Sequence, residues 1–114
     1  MYRVHTSDLP FQGVSHAFVG SERGDVAISA FVVDAPPGSG PGPHRHPYDE
    51  VVFVQKGLAL WTINGEDQRA GPGDIVVVKA GEIHGFRNIG EEPLVQLDIH
   101  LNPDFQQEDL DSHT

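Results

Sequence analysis

There is no cysteine among the 114 residues, so neither disulfides nor thiolate chemistry is available to this chain. That absence fits a reducing compartment, and a cytoplasmic protein is the expectation. Lysine and arginine are also scarce, 7 against 17 aspartates and glutamates, for a formal net charge of −10 at pH 7. A field of that sign repels polyphosphate and no basic cluster interrupts it, so nucleic acid is not an expected partner. Apolar runs are only a few residues long, far short of the ~20 a membrane helix needs. The opening Met1-Tyr2-Arg3-Val4-His5 lacks the apolar stretch of a signal peptide. No membrane association is expected, and no stretch carries the periodicity of a long amphipathic helix.

Turn-forming residues, by contrast, are plentiful: 13 glycines and 9 prolines. They fall between short β-branched runs, the pattern of an all-β domain with tight turns. The runs predict strands over His16 to Gly20, Val26 to Asp34, Tyr48 to Gln55, Leu58 to Ile63, Ile75 to Lys79, His84 to Ile89 and Leu94 to Leu101. Strands so short and evenly spaced point to a sandwich, jelly roll or barrel. The length suits one domain, residues 1–114, with a core over about 24–101 and a tail over 102–114. Within the tail, Asn102-Pro103 reads as a helix cap followed by proline at the first helical position, predicting a turn or two of helix over Asp104 to Leu110. Glu108 to Thr114 is polar and expected to fray.

The segment Ala35 to Pro47 reads APPGSGPGPHRHP, a stiff and shaped connector that delivers His44 and His46. Two residues apart, their imidazoles share one face of an extended chain. Glu50 has the same parity, but a straight strand would carry it ~13 Å beyond His46. The chain must bend between them, and Pro47 is the suitable place. His84 arrives from a separate strand after the Ala80-Gly81 turn. Three imidazoles and one carboxylate make a mixed nitrogen and oxygen set suited to one divalent Fe, Mn, Co, Ni, Cu or Zn ion. An octahedral ion would keep two positions open.

The residues around these candidates carry a resemblance. Gly38, five residues, His44-x-His46, three residues, Glu50, six residues and Gly57 follow one cupin signature; Gly73, five residues, Lys79-Ala80-Gly81, two residues, His84, three residues and Asn88 follow the second. The chain thus resembles a small single-domain cupin, over roughly the half from Gly38 to Asn88. Lys79 departs from the pattern, standing where the family usually has proline. The resemblance implies a jelly-roll β-barrel of two antiparallel sheets with an ion inside, held by His44, His46, Glu50 and His84. Small cupins are commonly homodimers, which covers exposed sheet edges, and Val14 to Val19 is a candidate edge strand for that interface.

Strand parity extends the expected site. Phe86 and Asn88 share the face of His84, and the alternating strand Leu94 to Leu101 sets Gln96, Asp98 and His100 on one face. By analogy with cupins, Gln96 and Asp98 border the cavity, with Asp98 as a base or an orienter of metal-bound water. His100, near the strand end, is expected to be wet. Tyr48 stands beside the ligands as a possible substrate contact, while Trp61 and Phe53 read as core or interface. Arg45 should point away from the ligands, toward solvent or a carboxylate. His5, His16 and His113 read as surface or edge residues.

The function these features favour is a metal-dependent enzyme of dioxygenase type acting on a small molecule, with Glu50 and Asp98 as its catalytic carboxylates. Alternatives are a non-enzymatic binding or sensor module and a metal-dependent isomerase or epimerase. Fold alone does not separate them.

Overall fold

A computed structural model describes residues 1–110 of the chain. Among the described residues, eleven β-strands follow one short 3-10 turn at Thr6–Asp8. They are β1 Phe11–Gln12, β2 Ser15–Val19, β3 Ser29–Ala35, β4 His44–Arg45, β5 Glu50–Lys56, β6 Ala59–Ile63, β7 Glu66–Ala70, β8 Ile75–Val78, β9 His84–Asn88, β10 Leu94–His100 and β11 Glu108–Asp109. One antiparallel sheet runs β1-β2-β3-β10-β5-β8 and the other β11-β4-β9-β6-β7. The all-β jelly-roll barrel expected from the sequence is the architecture observed. Among the described residues no helix is long and apolar enough to cross a membrane.

All seven predicted strands are present within a few residues of their expected bounds. The strand without an apolar signature, β7, was missed because four of its five residues are exposed. It forms through the hairpin at Asn64-Gly65, where both residues take positive φ (49° and 81°). That is the mirror-image turn whose twist matches the flanking strands.

The chain passes from one sheet to the other between β4 and β5, across Pro47, the bend that brings Glu50 back toward His46. At its start Gly40 lies so close to β9 that an added Cβ would meet the Phe86 carbonyl oxygen at 2.0 Å. Only glycine lets the histidine-bearing loop pack there. The departure at Lys79 also has a local reason. Its backbone N–H donates to Glu82 Oε1 at 2.6 Å, which proline could not do. Its Nζ lies 2.8 Å from Asp49 Oδ2, tying the turn beside Glu50.

The core between the sheets consists of Val33, Ala35, Val52, Val54, Ala59, Trp61, Ala70, Val78, Phe86 and Leu94. Along β10 the inward side chains change character: Leu94, Gln96, Asp98 and His100 are all buried. His100 pairs with Glu50 across β5, and His44 pairs with His84 across the other sheet. The histidine-rich end of the barrel therefore lies opposite an apolar end.

Two expectations are corrected here and a third is narrowed. Asp104 to Leu110 forms no helix, because its backbone returns along β4: Glu108 and Asp109 pair with Arg45 and His44. The same pairing orders the start of the segment expected to fray; Asp111 to Thr114, including His113, lies outside the described residues. Val14 to Val19 is partly covered, since β1 pairs with Ser15 and His16 on the side of β2 away from β3.

Candidate metal centre

His44, His46, Glu50 and His84 are each 5% exposed or less and their side chains converge. The Glu50 Oε1 atom lies 3.4 Å from His46 Nε2, 3.2 Å from His84 Nε2 and 3.5 Å from His100 Nε2. Potential ligand atoms of His44, His46 and His84 lie within 4.8 Å of one another, and so do those of His46, Glu50 and His100. Burying this many polar atoms is costly unless each finds a partner. Yet His46 Nε2, His84 Nε2 and Glu50 Oε1 make no hydrogen bond.

The outward ring nitrogens explain how the inward ones are aimed. His44 Nδ1 bonds the Gly42 carbonyl at 2.8 Å, His46 Nδ1 the Gln106 carbonyl at 2.7 Å and His84 Nδ1 the Glu82 carbonyl at 2.9 Å. A carbonyl only accepts, so each Nδ1 carries a proton, and in the neutral ring each Nε2 directs a lone pair inward. Backbone tethering of this kind fixes the tautomer and orientation of metal-binding imidazoles. Orphaned buried donor atoms, preset tautomers and an adjacent carboxylate together fit a divalent transition metal.

Electrostatics differ across the cluster. Burial lowers His44 and depresses His46 to about 4, so both imidazoles stay neutral at ordinary pH. Burial acts the same way on His84, but the Glu50 carboxylate outweighs it and raises the pKa. Burial opposes ionisation of Glu50, yet the facing His100 and His84 imidazoles hold its pKa below the usual carboxylate range. Asp98 is the opposite case. Burial, then the charge of Glu50, pushes it well above 3.8 despite a hydrogen bond from Gln96.

A cavity of about 500 Å³ opens onto this cluster, with His44, His46, Glu50, Asp98 and His100 in its wall. Phe86 lines it as expected, and so does Trp61. Tyr48 and Gln96 do not line it; each stands one layer back. The Tyr48 ring stacks on His46 at 5.1 Å between centroids, and Gln96 Nε2 donates to Asp98 Oδ1 at 2.9 Å. Arg45 faces away and pairs with Glu108 at 2.7 Å. Asn88 serves structure: its Nδ2 donates to the Ala35 and Glu92 carbonyls.

Three contributors were not assigned to the site from the sequence. His100 is 4% exposed rather than wet, and its strand parity with Asp98 was the available signal. Phe105 and Gln106 had none, because pairing of the tail with β4 places them over the site. Phe105 lines the cavity with its ring 5.0 Å from that of Phe31.

The sequence model of the Cupin domain family matches residues 31–100. This chain belongs to the cupin family. The cupin is 32% identical over 68 residues to an uncharacterized protein of Streptomyces coelicolor, a match covering 60% of this chain and 63% of that one. Among solved structures it is similar to the Lactobacillus farciminis oxalate decarboxylase in its formate complex, at TM-score 0.82 and 25% identity over 93% of this chain. A second is a Bacillus subtilis oxalate decarboxylase studied for its Mn(II) centers, at TM-score 0.77 and 25% identity over 89% of this chain. The cupin spans only 35% and 29% of those two chains.

Proposed function

We propose that this cupin holds one divalent transition metal through His44, His46, Glu50 and His84 and acts as an oxygenase-type enzyme on a small molecule. The observation that carries the reading is the convergence of the His46 and His84 Nε2 atoms on Glu50, with His44, His46 and Glu50 in the wall of a cavity of about 500 Å³. When bound, the metal supplies a Lewis acid and a one-electron centre to a substrate oxygen. Manganese is the ion favoured by likeness to the Bacillus subtilis enzyme with Mn(II) centers.

The cavity wall describes the substrate. Val14, Val19, Phe31, Val33, Trp61 and Phe86 give it an apolar lining, and no lysine or arginine lines it. A compact dianion such as oxalate would find no cation for a second carboxylate. The fit is to one metal-binding carbonyl, phenol or carboxylate group on an apolar body, in a volume typical of small-molecule sites. Asp98 is buried in the same wall, where burial and the charge of Glu50 raise its pKa and favour its protonated form. Its role is therefore that of a proton donor to the substrate first, and a base only after giving that proton up.

Elemental analysis of untagged protein, purified without chelators, tests the centre. About one equivalent of metal, lost in His84→Ala, is expected. Oxygen uptake is then followed with small aromatic and β-dicarbonyl compounds. Protein that takes up no metal, even when it is added, overturns the reading. Metal and ligand binding without turnover would leave a binding module.

A further inference from the structure

We propose that His100 is a fifth side-chain ligand of the metal, aimed by Tyr48, so that a six-coordinate ion keeps one open position instead of two. This rests on the metal-binding reading above and refines it. His100 sits on β10, outside both motifs that carry His44, His46, Glu50 and His84. It is 4% exposed and lies in the cavity wall. With His46 and Glu50 it forms a group whose potential ligand atoms lie within 4.8 Å of one another. Its Nε2 faces Glu50 Oε1 at 3.5 Å, the same atom that His46 and His84 approach.

The tautomer decides whether that Nε2 can bind metal. The Tyr48 hydroxyl lies 2.7 Å from His100 Nδ1 and 3.2 Å from the Gln106 carbonyl oxygen; the Gln106 N–H approaches it at 3.4 Å. One assignment uses every contact around the phenol. His100 Nδ1–H and the Gln106 N–H donate to the phenolic oxygen, and the phenolic O–H donates to the Gln106 carbonyl. In the neutral ring His100 Nε2 then carries a lone pair. The Gln106 carbonyl accepts from His46 Nδ1 as well, so one peptide oxygen sets two imidazoles, one directly and one through Tyr48. All four histidines thus present Nε2 inward. The substrate consequence is that only one donor atom can join the ion without displacing a side chain.

The test uses Mn(II) alone on the purified protein. Water-proton relaxation should count one coordinated water in wild type, and pulsed electron paramagnetic resonance should count four histidine nitrogens. His100→Ala should show two waters, three nitrogens and affinity about 10–100-fold weaker. Two waters and three histidine nitrogens in wild type would overturn the proposal, and that measurement needs no variant to fold. Tyr48→Phe, which keeps His100, should retain one water while weakening affinity; affinity within twofold of wild type would count against the tautomer argument. Wild type that binds no Mn(II), Fe(II) or Co(II) at all would instead overturn the metal site itself.

Discussion

The phenolic oxygen of Tyr48 lies 2.7 Å from Nδ1 of His100, joining two buried side chains 52 residues apart in the sequence. The contact links the β4–β5 crossover to the end of β10. Removing the hydroxyl leaves the buried His100 Nδ1 and the Gln106 N–H short of a partner. Tyr48→Phe should therefore destabilise the metal-free protein by about 1–3 kcal/mol, read from urea unfolding. No loss would mean that the hydroxyl is not needed to satisfy either group.

His46 gives the metal-free protein a defined acid sensitivity. Its pKa drops from 6.5 when unfolded to about 4 when folded. Between those values the unfolded chain holds a proton that the folded one rejects, so stability declines as pH falls through the window. The decline attributable to His46 is about 3 kcal/mol in all, and His46→Gln should remove it. Urea midpoints of both proteins between pH 4 and 7 check this. Parallel profiles would show that folding leaves the proton affinity of His46 unchanged.

Asp98 predicts the opposite slope. Its folded pKa is raised well above 3.8, so folding takes up a proton and the cost grows as pH rises past the unfolded value. Asparagine does not titrate. Asp98→Asn should gain stability relative to wild type as pH is raised from 4 to 8, with metal content retained and turnover lost. A stability difference that stays constant with pH would assign Asp98 the ordinary ionised state.

Self-association is the last expectation. On the outer face of the larger sheet, Val32, Leu97, Phe53 and Ile75 stand in one cross-strand row, and Ala30, Ile99, Val51 and Val77 in the next. Ile75 is 59% exposed and Val77 54%, an apolar and uncharged surface in a chain of net charge −10. We propose that a second copy covers it, each chain keeping its charge at the rim. Light scattering should give twice the 12.4 kDa chain mass, and Val77→Glu should halve it. A monomeric wild type would sink the idea.

How the sequence and the fold divide this information is visible in particular residues. Alternation within Glu50 to Val54 and Leu94 to His100 was legible because burying one face of a strand demands a period of two. The spacing of His44, His46, Glu50 and His84 was legible because two local motifs carry it. β7 was not, since its sequence EDQRA has no apolar face and its pairing comes from the Asn64-Gly65 turn. The tail was misread for a related reason: Asn102-Pro103 is compatible with a helix start, and only pairing with β4 overrides it.

Sequence alone therefore determined the all-β class, the places where the chain turns and four residues with metal-binding chemistry, because each depends on neighbours a few positions away. Tertiary structure decided that His100 and the Gln106 carbonyl lie beside them, that Tyr48 and Gln96 stand behind the cavity wall, and that burial raises the pKa of Asp98. Those outcomes depend on burial and on atoms brought together from 50 to 60 residues apart, which no local pattern encodes.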